Sequence, residues 1–236
     1  MSRYKAGLLT TAAIAALVVL AGCEGRANIR GDNTVVMFID DQADYLRAEG
    51  PDPVAPNQVP GLIDATNAII GAAAKNDVPV TYVRDEFSPF DLIDFFERHG
   101  ATPRLWAGSQ LDPRIGEWAG PYFTKTHDDA FRNSKLQGYL DMQRAGKLVI
   151  GGVFADGSVL ATTRGAIQRG FHVVVISDAI GAHSDEDREN AIKALKDAGA
   201  RVQTSAEFIS SLSADTASTE LPKPEIEYTN PNGLPG

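Results

Sequence analysis

Val35-Val36-Met37-Phe38-Ile39-Asp40-Asp41-Gln42 is the stretch on which the reading of the fold turns. Five apolar residues run without a polar break, and two carboxylates and an amide follow. A strand with one wet face alternates apolar and polar side chains, because successive side chains point to opposite faces. An unbroken run needs cover on both faces, the situation of a central strand in a parallel sheet with helices above and below. The switch to Asp40-Asp41 marks the carboxyl end of that strand.

The same alternation of elements continues downstream. Leu62, Thr66, Ile69, Ile70 and Ala73 recur at helical spacing. Val78 to Val83 reads as a second strand and, after a long connection, Tyr122-Phe123-Thr124 as a third. Leu136, Tyr139, Leu140 and Gln143 predict a helix ended by Gly146, and Lys147 to Ile150 a fourth strand. Val159 to Gln168 predicts a helix ended by Gly170, and Val173 to Ile176 a fifth strand. Ser184 and Asp187 form a capping pattern for a helix that runs through Leu195 and ends before Gly199. Ala200 to Gln203 is a short sixth strand, and Thr204 with Glu207 caps a last helix.

Strands separated by helices are joined by right-handed crossovers into a parallel sheet. The predicted class is therefore α/β: a three-layer α/β/α sandwich, Rossmann-like, with a mainly parallel sheet of about six strands. In such sheets ligands bind beyond the carboxyl ends of the strands.

The ends of the chain read differently. Arg3 and Lys5 precede an uncharged apolar run from Leu8 to Leu20, and Leu20-Ala21-Gly22-Cys23 closes it. That is the layout of a secretory signal, and it is shorter than the roughly 20 residues a membrane span needs. The Leu-Ala-Gly-Cys ending resembles the bacterial lipobox. It implies cleavage before Cys23, acylation of Cys23 and attachment to the membrane of the cell envelope through that lipid. Glu24 in place of Asp points, by analogy with lipoprotein sorting, to the outer membrane of a host with two membranes. Cys23 is the chain's only cysteine, so no disulfide can form within the mature chain and no thiol is left for catalysis.

Residues 24–33 read as a tether, 34–212 as the folded domain, and 213–236, rich in Pro, Thr, Ser and Glu, as a mobile tail. Taking Arg3 and Lys5 from the 22 basic residues leaves 20 against 31 acidic, a formal charge of −11 for the mature part. Such a surface repels phosphate backbones, which excludes nucleic acid as a partner. It also argues against a second, electrostatic attachment to anionic lipid.

The carboxyl ends of the strands supply three reactive groups. Asp40 follows the first strand, Lys125 the third, and Gly151-Gly152-Val153-Phe154-Ala155-Asp156-Gly157-Ser158 leads from the fourth into a helix. A carboxylate, an ammonium and a hydroxyl at a helix start suit acid–base or acyl-transfer chemistry on a small molecule. Each has a plainer reading as well: Asp40 as a turn cap, Lys125 as a surface lysine, Ser158 as a helix N-cap.

Three motifs carry a resemblance to the isochorismatase-like family of cysteine hydrolases. Phe38-Ile39-Asp40-Asp41-Gln42 resembles its first motif, Lys125-Thr126-His127-Asp128-Asp129-Ala130-Phe131 its lysine motif, and Gly152-Val153-Phe154-Ala155-Asp156-Gly157-Ser158-Val159 its third. The likeness continues through Ala161-Thr162, Gly165-Ala166, Gly170 and Ser177-Asp178-Ala179, over about residues 34–210. It implies a hydrolase with Asp40 as general acid or base and Lys125 orienting that carboxylate or binding an anionic substrate. It further implies a cis peptide at Val153–Phe154, which would aim the N–H groups of Gly157 and Ser158 at a developing oxyanion. The family also leaves room for a homo-oligomer.

Where amidase members of the family carry a cysteine, this chain has Ser158. A thiol near a cation and a helix N-terminus ionises close to neutral pH, whereas a hydroxyl needs a general base. Three readings follow: hydrolysis without a covalent intermediate, a serine nucleophile, or a pocket that binds without catalysing. Asp129 also replaces the usual serine of the lysine motif, which favours the last; the presence of both Asp40 and Lys125 favours an enzyme.

The family's nicotinamidase branch holds a metal through an Asp-x-His spacing. Here Asp85 is followed by Glu86 and Phe87, and His99, His127, His172 and His183 are scattered, so no catalytic metal is expected. Gly151-Gly152 lacks both the G-x-G-x-x-G spacing and a P-loop lysine, which excludes a nucleotide cofactor. Glu86 to Gly120 is a long connection holding Phe87, Phe90, Phe95, Phe96, Trp106 and Trp118, with a helix start at Ser88-Pro89 and Asp91. It reads as a lid or pocket wall, or as a satellite core or subunit contact.

Overall fold

The computed structural model describes residues 31–87, 99–116 and 120–219, with side chains as far as Ser213. Its centre is a sheet of six strands: β1 Asn33–Ile39, β2 Val80–Asp85, β3 Tyr122–Lys125, β4 Ala145–Val153, β5 His172–Gly181 and β6 Arg201–Gln203. Their order is β3-β2-β1-β4-β5-β6, and every pairing is parallel. Among the described residues four long helices join them, α1 Val59–Lys75, α2 Ser134–Met142, α3 Leu160–Gln168 and α4 Asp185–Asp197, and a further one, α5 Ser205–Thr219, follows β6.

The apolar run of β1 divides between two cores. Val36 and Phe38 face α1 and α5, together with Leu62, Ile69, Val149, Ile176 and Phe208. Val35, Met37 and Ile39 face the opposite layer with Leu136, Leu140, Ile150, Val159 and Leu195. All five residues of the run are at most 1% exposed, as a doubly covered strand requires. At about 25 cal/mol per Å² of apolar surface removed from water, this two-sided burial is the main favourable contribution to the fold.

The chain builds β1, β2 and β3 outward in one direction, then crosses back to lay β4 on the other side of β1. The reversal falls at the boundary of β1 and β4, the place where such sheets bind ligands. Gly152 makes the close approach possible. Its φ is +114°, and a Cβ there would stand 1.9 Å from the Ile39 carbonyl oxygen.

The capping residues fall as predicted. The Ser184 hydroxyl accepts from the Asp187 N–H at 3.0 Å, and the Glu207 carboxylate accepts from the Thr204 N–H at 2.7 Å. Several boundaries need correction. β1 begins at Asn33, one residue inside the segment read as tether. Gly146 does not end α2; the chain turns at Arg144, with φ +52°, and β4 already starts at Ala145. β5 runs to Gly181, beyond the apolar run Val173 to Ile176, across an irregularity in its pairing with β4. The last helix continues to Thr219, so 213–219 is helical where composition read a mobile tail. Small polar residues continue a helix when Phe208 and Leu212 anchor its earlier turns in the core. Cys23 and residues 220–236 lie outside the described residues, as do Phe90, Phe95, Phe96, Trp118 and the helix start at Ser88-Pro89.

Candidate active site

The site begins with the way the chain leaves β1. Asp40 extends the sheet ladder, its N–H donating to the Val83 carbonyl at 2.8 Å, and then turns the chain through a left-handed φ of +57°. Aspartate is among the few residues that tolerate this conformation. Gln42, two residues on and 1% exposed, clamps the end of β2. Its Oε1 accepts from the Asp85 N–H at 2.7 Å, and its Nε2 donates to the Asp85 and Ser109 carbonyls at 2.8 and 2.7 Å. The motif glutamine therefore fixes the neighbouring strand end and the loop above it.

Lys125 closes β3 and points inward. Its Nζ lies 2.8 Å from Asp40 Oδ2, donates to Ser158 Oγ at 3.0 Å, and stands 3.6 Å from Asp85 Oδ1. Three protons on an ammonium meet three oxygen partners. Asp40 and Lys125 are each 3% exposed, Ser158 7% and Asp85 1%. The three residues named from sequence thus converge, although they are 33 to 118 positions apart in the chain. Lys125 is not a surface lysine, and the Asp40 side chain is turned to Lys125.

Asp85 is the site residue that sequence reading missed. It ends β2, so the rule that drew attention to Asp40 and Lys125 applies equally to it. In the sequence it bears only on a metal spacing that is absent. Its Oδ2 also accepts from the Tyr45 hydroxyl at 3.3 Å.

Ser158 sits in a wide turn, Ala155–Val159, between β4 and α3. Its side chain does not cap the helix, which has Val159 at the N-cap position and no side-chain cap. The Val153–Phe154 peptide is cis. The Phe154 carbonyl accepts from the N–H groups of Gly157 and Val159, both at 3.1 Å. That corrects the expectation for Gly157: its N–H is engaged inside the turn and is not presented to an oxyanion. The Phe154 ring stacks on His183 at 4.1 Å with planes 6° apart and meets Tyr45 edge-on at 5.2 Å. His183 Nε2 in turn contacts Asp52 Oδ1 at 2.9 Å. Of the long connection, Phe87 is buried, whereas Trp106 is 59% exposed and Leu105 88%.

A model of the isochorismatase domain matches residues 34–207. The chain belongs to the isochorismatase family. An uncharacterised isochorismatase family protein of Bacillus subtilis, YwoC, is 26% identical over 183 residues, covering 77% of this chain and 95% of that protein. Among solved structures, a cysteine hydrolase from Pseudomonas syringae superposes with a TM-score of 0.70 at 18% identity, covering 79% of this chain and 94% of the other. The nicotinamidase PncA of Bacillus subtilis superposes with a TM-score of 0.66 at 21% identity, covering 72% and 98%. Both share the isochorismatase-like hydrolase fold with this chain.

Beside the cluster, Asp41 is a second kind of carboxyl. It is 2% exposed, and neither oxygen has a hydrogen-bond partner among the described residues. Burial first, then the Asp40 and Asp112 carboxylates, push it well above the usual carboxylate range. Asp112 cannot yield its charge easily, since Arg114 grips both its oxygens at 2.8 and 2.9 Å. The sign follows from linkage: a carboxyl raised in the folded state favours folding fully below its unfolded value of about 3.9, and that contribution is lost as pH rises above it. Asp41→Asn removes this loss. Unfolding free energies measured in urea from pH 4 to pH 8 are expected to fall for the natural protein relative to the variant, by up to about 1.4 kcal/mol per pH unit. Parallel pH profiles would show that Asp41 is solvated.

Proposed function

We propose that this isochorismatase family member is an envelope hydrolase that cleaves a small molecule by acid–base chemistry centred on Asp40, without a covalent enzyme intermediate. One observation carries the reading: the group that touches the Ser158 hydroxyl is the Lys125 ammonium at 3.0 Å. An ammonium donates hydrogen bonds and cannot take the hydroxyl proton, so it does not supply the base that a serine nucleophile needs. Asp40, ionised beside Lys125, takes a proton from the attacking water and returns it to the leaving atom as the scissile bond breaks. Ser158, at the position where amidase members carry cysteine, orients Lys125 and the water.

The cluster holds two carboxylates against one ammonium. That excess of negative charge favours neutral or cationic substrates over anionic ones. The Phe154 ring, stacked on His183 and meeting Tyr45, which donates to Asp85, offers an aromatic contact near it. Acylation at Cys23 would place this chemistry at the membrane of the cell envelope, the outer one in a host with two.

The test uses the purified protein on panels of vinyl ethers, amides and esters. Ser158→Ala is expected to keep turnover within about tenfold, the size of one lost hydrogen bond. Loss beyond about a thousandfold, or labelling of Ser158 by serine-directed phosphonates, would establish the serine nucleophile instead. No turnover by the natural protein, with amidase activity appearing on Ser158→Cys, would establish a pocket that only binds.

A further inference from the structure

A cavity of about 620 Å³ opens outside the edge strand β3. Thr124, Thr126, His127, Arg132, Asn133 and Arg169 line it, with Phe131 as an apolar wall and Lys125 at its inner margin. Its volume is that of a small-molecule site. The Lys125 ammonium is directed away from it, into the cluster with Asp40, Asp85 and Ser158.

The charge of this cavity runs against that of the protein. The chain carries 31 acidic and 22 basic residues, yet no carboxylate belongs to the lining, while two guanidiniums and an imidazole do. Asp128 and Asp129 are adjacent in sequence, but Asp129 turns its Oδ1 to the Phe131 N–H at 2.9 Å. Asp129 Oδ2 forms a long ion pair with Arg169 Nη1 at 4.0 Å, which leaves Arg169 only partly neutralised.

Arg169 is held in place. Its Nη1 donates to the Gly165 carbonyl at 2.8 Å, and its guanidinium lies over the Phe131 ring at 4.6 Å. Among the described residues the Arg132 guanidinium has no ion pair or hydrogen bond, and its side chain is exposed. The Thr126 hydroxyl and the His127 ring, 2.9 Å apart, add polar hydrogens to the same wall. A guanidinium fixed by stacking, a second one near it and a hydroxyl–imidazole pair match the oxygens of a tetrahedral dianion, for which planar arginine forks are the preferred partners.

We infer that the cavity outside β3 is a binding site for a small doubly charged oxyanion of the phosphate type, either free phosphate or a phosphate monoester. The site is separate from the hydrolytic cluster and does not depend on what that cluster cleaves. An anion there neutralises the like charges of Arg132 and Arg169 and ties the segment that follows Lys125 to α3.

The test is a titration of the ¹⁵N-labelled full chain with inorganic phosphate at constant ionic strength and pH, read by amide NMR signals, with chloride as the control. Saturable movement of Thr126, His127, Arg132 and Asn133 is expected, with chloride inert at matched ionic strength. Arg132→Gln, an exposed and structurally harmless change, is expected to weaken half-saturation by about tenfold or more. Arg169→Gln should weaken it too, but it also removes the stacking on Phe131, so Arg132→Gln decides. Phenyl phosphate beside inorganic phosphate separates a monoester site from a free-phosphate site. Movement centred on Gly157 and Val159 would put the anion in the hydrolytic crevice and overturn the inference. So would an equal response to chloride, or no saturation by about 50 mM phosphate, the weak limit for a site with two guanidiniums.

Discussion

Lys125→Met is expected to cost the fold about 3–5 kcal/mol and to abolish turnover, because the single ammonium is the charge that balances Asp40 and Asp85. Methionine fills nearly the same space, so the loss is electrostatic and not a cavity effect. Without Nζ, two carboxylates 3% and 1% exposed lose the cation they share. Adding Asp85→Asn to Lys125→Met removes one of the two carboxylates that lost the ammonium and is expected to restore about half of the lost stability. Urea unfolding of the four proteins of this cycle checks each point. A loss under about 1 kcal/mol would mean that water reaches the cluster and that the ion pairs are as weak as surface ones.

The cycle turns on Asp85, the residue that the sequence concealed. Strands, helices and their parallel arrangement were legible because periodicity and capping report directly on burial and backbone hydrogen bonds. Val35 to Ile39 could only be a strand covered on both faces, and Ser184 with Asp187 could only open a helix with a satisfied first turn. Asp40, Lys125 and Ser158 were legible because each stands where a strand or helix ends and each carries reactive chemistry. Asp85 stands in an equivalent place, but a lone aspartate before Glu86 has the look of a solvated strand end. Only the register of β2 against β3, which pairs Asp85 with Lys125, brings it to the ammonium. Asp41 was hidden for a related reason. Two consecutive acids read as a wet turn, and the left-handed φ at Asp40 that sends one carboxyl to Lys125 and buries the other has no signature in the sequence. The stack of Phe154 on His183 joins residues 29 positions apart through β4 and β5, and no local pattern announces it.

The same geometry makes Asp40→Asn the most selective probe of the proposed chemistry. Asparagine keeps the shape of the side chain and keeps an oxygen that accepts from the Lys125 ammonium, now 2.8 Å from Asp40 Oδ2. The ammonium retains Asp85 at 3.6 Å and Ser158 at 3.0 Å, so no charge is left buried alone. Stability should therefore change by less than about 1–2 kcal/mol, the range of one weakened charge-assisted hydrogen bond. Turnover should fall by about 10²–10⁴-fold, because an amide can neither accept the proton of water nor return one to a leaving group. The loss belongs in kcat, with KM nearly unmoved, since the amide still occupies the carboxylate's place beside the substrate. Asp40→Asn and Ser158→Ala then differ in a way that a structural role for both residues would not produce. Folded asparagine variant with turnover within tenfold of the natural protein would remove Asp40 from the chemistry, and with it the acid–base hydrolase reading, leaving Lys125 and its partners as a buried brace between β1, β2, β3 and α3.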